Sequence, residues 1–172
     1  MFPFQVSLNA STLFPFKLDL AQQIEVAADA GYAGLEIWMR DVEAWQAAGK
    51  PLAALRTLAE ARGLVLANAI AFFSWADSDP HARAAAFAQA EREMSMLAEL
   101  GCRAVAAPPF GNVEATSLSD MAAAFAHLAE LGQRSGVEPY LEFWGRAKKL
   151  SRLSEALFVA VESGVPDAKL LL

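Results

Sequence analysis

One acidic side chain stands inside a short apolar run near the C-terminal end of the chain. Glu142 lies among Tyr140, Leu141, Phe143 and Trp144, a run that predicts a strand ending at a glycine-containing loop. A carboxylate is costly to bury unless a cation or hydrogen-bond donors accompany it. Two interpretations follow: an ion pair with Arg146 or Lys148 at the strand edge, or a functional carboxylate that binds a metal or moves a proton.

Polar side chains also stand at the ends of the first three predicted strands. Asn9 is on the first strand, Glu36 and Trp38 are on the second, and Asn68 is on the third. The two amides could bind substrate hydroxyls or satisfy loop backbone groups. Glu36 could touch substrate or could be a polar residue inside a barrel, bonded to a neighbour.

The loop after the fifth predicted strand adds two candidates for substrate binding, Trp144 and Arg146. Arg146 is the nearest cation to Glu142 that could bind a substrate phosphate or carboxylate, although a solvated or Glu-paired Arg is the alternative. Aromatic side chains recur after strands two to five and could form an apolar wall of a sugar pocket or simply pack their loops: Trp38, Phe72, Phe73, Trp75, Phe110 and Trp144. His81 and His127 fall on predicted helices, and we interpret both as non-catalytic.

Composition limits the class of protein. The 172 residues are 55% hydrophobic, which predicts a single domain over residues 1–172. The net charge of −6 and the lack of a basic block argue against a nucleic-acid partner. No apolar run approaches the roughly 20 residues of a membrane span. The lone Cys102 excludes an internal disulfide, suggests a buried structural thiol, and fits a cytoplasmic location.

The chain repeats one architectural unit, an amphipathic helix followed by a glycine and a short apolar run. The glycines suit left-handed helix C-caps, and they are Gly31, Gly63, Gly101, Gly136 and Gly164. Such a repeat of helix and strand predicts consecutive βα units. The predicted strands cover 5–9, 34–38, 64–70, 103–107, 139–143 and 168–172.

Helix positions follow from a 3.6-residue period and from start signals. Asp79 and Pro80 predict an N-cap followed by the first helical residue, and Ser117 predicts a capping box. In the fifth predicted helix the apolar face is expected at Leu153, Leu157 and Val161.

Consecutive βα units form either a doubly wound sheet or a (β/α) barrel. No glycine-rich nucleotide-binding motif follows the first strand, which favours the barrel. A complete barrel needs eight units and about 250 residues. The sequence supplies about five units plus the start of a sixth strand. The expected fold class is therefore α/β, an incomplete TIM-barrel type, and we expect the chain to be the N-terminal portion of a longer protein.

Several short motifs resemble the xylose isomerase-like TIM barrel superfamily, which contains sugar-phosphate isomerases and epimerases as well as AP endonucleases. The similarity covers nearly all of the chain. It rests on the order and spacing of five segments, at residues 7–9, 30–38, 100–105, 140–143 and 166–172.

The resemblance implies a divalent cation, Mn²⁺, Mg²⁺, Co²⁺ or Zn²⁺, held at strand ends by a Glu, an Asp, a His and a second Glu. Only the first has a counterpart here, Glu142, which the resemblance makes both a metal ligand and a catalytic acid–base group. The implied reaction is proton transfer next to the carbonyl of a sugar, sugar phosphate or hydroxy-ketone. One carboxylate does not hold a hard cation tightly, so this chain alone is expected to be inactive.

Alternatives stay open at this point. A non-catalytic partial barrel that binds or assembles with a partner is one, and a related dehydratase or hydroxypyruvate-type isomerase is another. The AP endonucleases need histidines near strands two and three, where this chain has Glu36, Trp38, Asn68 and Phe72. Open sheet edges would leave apolar surface exposed, so we expect the isolated chain to self-associate as a homo-oligomer.

Overall fold

A computed structural model describes residues 3–172 of the chain. Strands and helices alternate along this part of the chain. The strands are β1 (Ser7–Asn9), β2 (Gly34–Trp38), β3 (Val65–Ile70), β4 (Ala104–Ala107), β5 (Glu138–Glu142) and β6 (Leu170–Leu171). The α-helices are α1 (Leu20–Asp29), α2 (Met39–Ala47), α3 (Leu52–Ala61), α4 (Pro80–Leu100), α5 (Leu118–Ser135) and α6 (Leu153–Glu162).

Two compact units make up the described chain. The first extends to Ile70 and includes Met96–Ala104, and the second comprises Ala71–Ser95 and Val105–Leu172. In the first unit β1, β2 and β3 are neighbours in chain order, with parallel pairing at both steps. In the second unit β5 pairs in parallel with β6. The prediction of a single domain over residues 1–172 is not tested by this division and stays a prediction.

Strand order distinguishes a doubly wound sheet from a (β/α) barrel. A doubly wound sheet reverses its strand order at a switch point, whereas a (β/α) barrel adds each new strand beside the last. The strands here follow chain order in each unit. The fold is therefore an incomplete (β/α) barrel type with five βα units and a sixth strand, as the sequence predicts.

Local signals in the sequence explain where the helices begin and end. The Asp79 carboxylate accepts the His81 N–H at 3.0 Å, and α4 starts at Pro80. The Ser117 hydroxyl accepts the Asp120 N–H at the start of α5. All five glycines that the sequence predicts as helix caps have positive φ.

The strands are held by apolar side chains on the face turned toward the helices. In the first unit Leu35 and Ile37 of β2 are fully buried, as are Leu20 and Ile24 of α1. Glu36 alternates with Leu35 and Ile37 along β2, so its side chain projects from the opposite face of the sheet. In the second unit the largest buried side chains are Phe73, Trp75 and Phe125.

The structure differs from the sequence predictions in two additional helices, in the bounds of several strands and in the buried face of one helix. A 3₁₀ helix (Ala10–Phe16) and α2 occupy segments that the sequence left as loops. Strands β1, β3, β4 and β6 are shorter than predicted, and β5 begins and ends one residue earlier than predicted. The apolar face predicted for the fifth helix is not its buried face: Leu153, Leu157 and Val161 are exposed, and α6 buries Ala156 and Val159. An apolar period locates a stripe on a helix but does not say which neighbour covers it.

No helix among residues 3–172 is both long and apolar enough to cross a membrane.

Candidate functional site

A polar layer crosses the three strands of the first unit, formed by Asn9, Glu36 and Asn68. Asn9 pairs in register with Glu36, and Glu36 pairs with Asn68. The second pairing depends on an irregularity in the ladder, because Leu35 pairs with Leu66 while the next residue, Glu36, pairs with Asn68. The extra residue on β3 places Asn68 opposite the carboxylate.

The Glu36 carboxylate is held from both sides by amide donors. Asn68 Nδ2 donates to Glu36 Oε1 at 2.9 Å, and Asn9 Nδ2 donates to Glu36 Oε2. The side chain of Glu36 is half-buried. A half-buried carboxylate with a donor on each oxygen is fixed in position and keeps lone pairs for a further donor, such as a ligand hydroxyl.

The side-chain carbonyl oxygen of Asn9 accepts hydrogen bonds from two other donors. Its Oδ1 accepts the backbone N–H of Ser11 at 2.8 Å and the Trp38 indole N–H at 3.3 Å. These contacts fix which end of the amide faces Glu36, because the carbonyl oxygen is occupied by donors. Asn9 therefore caps the 3₁₀ helix and orients both Glu36 and Trp38.

Asn68 differs from Asn9 in the use of its carbonyl. The side chain is only 5% exposed, and its Oδ1 accepts no hydrogen bond from the described residues. Buried polar atoms nearly always have a partner, and an unmet acceptor costs about 1–3 kcal/mol. This acceptor is buried and has no hydrogen-bond partner among the described residues, so in the layer Glu36 is the half-buried acceptor with capacity for a ligand hydroxyl.

A cationic side chain that sequence reasoning missed lies beside the layer. The Arg40 guanidinium carbon lies 3.8 Å from the centroid of the Phe14 ring and 5.2 Å from that of Trp38. The Phe14 and Trp38 rings meet edge to face at 5.1 Å. Arg40 gave no sequence signal, because the sequence left both the 3₁₀ helix and α2 as loops.

The other predicted site residues are in the second unit. Glu142 is the last residue of β5 and is half-buried. Trp144 is 56% exposed, and the Arg146 guanidinium lies 5.9 Å from its ring centroid. Lys148, one of the two cations that the sequence offered to Glu142, forms an ion pair with Glu114 at 2.9 Å. The structure thus joins Asn9, Glu36, Trp38 and Asn68 directly, and it places the remaining three on one strand end and its loop.

Two loops of the second unit, one after β3 and one after β4, are fastened by Asp77. Its Oδ1 accepts the Asp79 N–H and its Oδ2 accepts the Asn112 N–H, each at 2.8 Å. These backbone hydrogen bonds, the one from Asn112 foremost, lower the pKa of Asp77 below its ordinary value. Gly111 has φ +105°, and a Cβ there would lie 2.7 Å from Asp77 Oδ2.

The same loops carry exposed aromatic rings. Phe72 and Phe110 are 45% and 46% exposed, and their ring centroids are 5.4 Å apart. By contrast, Phe73 and Trp75 are fully buried, and the Trp75 indole N–H donates to Pro108 O. The sequence predicted these rings as one group, but of the four only Phe72 and Phe110 are exposed.

The cysteine and the two histidines have surroundings that indicate structural roles. Cys102 is buried and lies 3.3 Å from Ala104 O, and burial raises the pKa of its thiol to about 11. His81 and His127 lie on α4 and α5. His127 packs edge-on against Phe87, with centroids 4.4 Å apart.

The side chains present do not complete a metal site. Among residues 3–172, no group of three or more His, Cys, Asp or Glu side chains could hold a metal ion. A divalent cation prefers several oxygen ligands, and Glu142 supplies one carboxylate.

The fold defines a barrel-type α/β protein, and comparison with known families defines it further. The model of the xylose isomerase-like TIM barrel family matches residues 24–170, so the chain belongs to that family. No curated protein matched the sequence.

Three solved structures illustrate the similarity of fold. The IolI protein with a bound zinc atom has a TM-score of 0.81 at 20% identity, over 98% of this chain and 62% of that one. D-psicose 3-epimerase determined with D-fructose has a TM-score of 0.76 at 17% identity, over 97% and 62%. A xylose isomerase domain protein from Alicyclobacillus acidocaldarius has a TM-score of 0.72 at 21% identity, over 97% and 62%. The chain therefore spans about three fifths of the length of these structures.

Proposed function

We propose that the protein acts, in its complete form, as a sugar isomerase or epimerase that transfers a proton next to a carbonyl. The observation that carries this proposal is the Glu36 carboxylate of β2, held between Asn9, the last residue of β1, and Asn68 of β3, next to Trp38 at the end of β2. In barrels of this type active sites form at the carboxyl ends of strands. Solved structures with this fold include D-psicose 3-epimerase and L-ribulose 3-epimerase.

Each part of the polar layer has a role in the proposal. Glu36 accepts a substrate hydroxyl, Asn9 and Asn68 position Glu36 on the substrate side, and Trp38 lines the apolar side of the sugar. In the second unit, Trp144 and Arg146 of the loop after β5 are separate candidates for substrate binding. These roles suit a polyol, because the layer offers acceptors to hydroxyl donors and an indole ring to the C–H face of the sugar.

Glu142 is proposed as the acid–base group, since a strand-end carboxylate can take the proton from the carbon next to a carbonyl. The family resemblance also makes Glu142 a ligand of a divalent cation. The described residues do not complete such a site, so cation dependence is a prediction about the complete protein, and no step here depends on it.

Deuterium exchange tests the reaction directly. The complete gene product, with Mn²⁺ added, is incubated in D₂O with D-fructose, D-tagatose or L-ribulose, and NMR locates the incorporated deuterium. Exchange at C3 indicates a 3-epimerase, and exchange at C1 indicates an aldose–ketose isomerase. Glu142→Gln should abolish exchange, while His127→Gln should retain it. Absence of exchange at every carbon of these sugars and of their phosphorylated and carboxylated analogues would refute the proposal.

A further inference from the structure

We infer that Arg40 binds an anionic group of the substrate, so that the sugar carries a phosphate ester or a carboxylate. The inference rests on the proposed function and adds the charge class of its substrate. It concerns the first unit alone.

The guanidinium of Arg40 is held in place by two rings. Phe14 lies beneath it at 3.8 Å and Trp38 lies at 5.2 Å. Stacking on aromatic faces orders a guanidinium without using its N–H groups, which remain available in a planar fork. Such a fork matches the two oxygens of a carboxylate or phosphate.

Arg40 is connected to the polar layer through Trp38. The same indole whose ring lies near Arg40 donates its N–H to Asn9 Oδ1 at 3.3 Å. Asn9 in turn donates to the Glu36 carboxylate. The cation and the hydroxyl acceptors are therefore neighbours along one chain of contacts, as a ligand with hydroxyls and an anionic end would require.

The ion pair of Arg40 does not prevent a ligand from binding its guanidinium. Arg40 pairs with the adjacent Asp41, with Arg40 Nε 3.6 Å from Asp41 Oδ1. Asp41 Oδ2 accepts a hydrogen bond from Gln23 at 3.1 Å. The Arg40 side chain is 57% exposed, so an anion in solution can reach it.

A matched series of ligands tests the inference, because D-fructose, D-fructose 6-phosphate and D-fructuronate differ only at C6. Affinity is measured by calorimetry for the complete gene product, together with the shift of the Trp38 indole N–H resonance, assigned with Trp38→Phe. Inorganic phosphate serves as a probe that is independent of sugar chemistry. The variants are Arg40→Gln, Arg40→Lys and Arg146→Gln. Arg56→Gln is the control, since Arg56 pairs with Glu60 on α3.

We expect one of the two anionic sugars to bind about tenfold or more tightly than D-fructose. Arg40→Gln should remove this preference, Arg40→Lys should keep part of it, and Arg56→Gln should keep all of it. The preferred anion distinguishes a phosphate ester from a carboxylate. Equal affinity for the three sugars, or a preference that survives Arg40→Gln but is lost in Arg146→Gln, would overturn the inference while leaving the proposed function intact.

The phosphate probe separates the two proposals in the opposite case. If no sugar binds but phosphate shifts the Trp38 indole in the wild type and not in Arg40→Gln, the anion site stands and the sugar function fails. If phosphate and the sugars leave the indole unchanged in every variant, Arg40 is a surface residue covering aromatic rings.

Discussion

Two carboxylates, Glu36 in the first unit and Asp77 in the second, are held by different kinds of donor. Glu36 receives side-chain amides from Asn9 and Asn68, whereas Asp77 receives backbone N–H groups from Asp79 and Asn112. Backbone donors connect a carboxylate to the backbone of its loops, so removal of the carboxylate should destabilise the fold. Side-chain donors position a carboxylate without constraining the backbone around it. We therefore expect Asp77 to matter for stability and Glu36 to matter for binding.

The largest effect should come from Gly111→Ala, because it disturbs the Asp77 loops through both space and backbone strain. A Cβ would lie 2.7 Å from Asp77 Oδ2 and 3.0 Å from Ser74 Cβ, at φ +105°. We expect a loss of about 2–4 kcal/mol in the free energy of unfolding, measured by denaturant titration. Gly145→Ala is the matched control, since a Cβ there meets no atom within 4 Å. Equal effects of the two substitutions would show that the Asp77 loops are not tightly fastened.

Asp77→Ala should destabilise the protein by about 1.5–3 kcal/mol, because two backbone N–H groups lose a charged acceptor. Glu114→Ala provides the comparison, since Glu114 makes an exposed ion pair with Lys148, and its removal should cost less than Asp77→Ala. Thermal unfolding of both variants measures the difference. A larger loss for Glu114→Ala would contradict the structural role of Asp77.

The pKa of Asp77 adds a dependence on pH. Its pKa in the folded state is lowered, while in the unfolded state it is about 3.9. The unfolded state then binds the proton more tightly, so the stabilisation is complete above about pH 3.9 and decreases as the pH falls through the folded-state value. The difference in unfolding free energy between wild type and Asp77→Asn should stay constant from pH 7 to about 5 and shrink below about 4. A difference that does not change with pH would be inconsistent with this account.

Glu36→Gln should have the smallest effect on stability, about 1 kcal/mol, because one Asn donor would still find an oxygen and the side chain is only half-buried. Binding should respond more strongly, since a site that bonds a substrate hydroxyl loses its acceptor. Calorimetry with D-fructose, or with its anionic analogue if Arg40 requires one, measures the affinity. A variant of unchanged affinity and large instability would reverse the assignment and make Glu36 a purely structural residue.

The order of elements was predictable because its signals are local. Helix caps at Asp79, Ser117 and the five glycines depend on the conformational preferences of single residues. Strand β2 was predicted at its observed bounds, since Leu35 and Ile37 are apolar and the strand follows a glycine. Helix α2 escaped prediction because only Met39 and Val42 of its residues are buried, which is too few to show a period.

The candidate site was predictable as a set of residue types but not as an arrangement. Asn9, Glu36 and Asn68 could be named because polar side chains at strand ends are conspicuous among apolar ones. Their contacts depend on strand register, which no local signal specifies. In an unbroken ladder Glu36 would stand opposite Ala67, because Leu35 pairs with Leu66.

The sequence by itself determined that this chain is a run of βα units with acids and amides at its strand ends, since those features follow from periodicity and single-residue preferences. Only the tertiary structure decided that one extra residue on β3 brings Asn68 to Glu36, and that Phe14 and Trp38 hold Arg40 beside them. Register and ring stacking join residues that are far apart in the chain, and the energy that selects them comes from packing between elements rather than from the elements themselves.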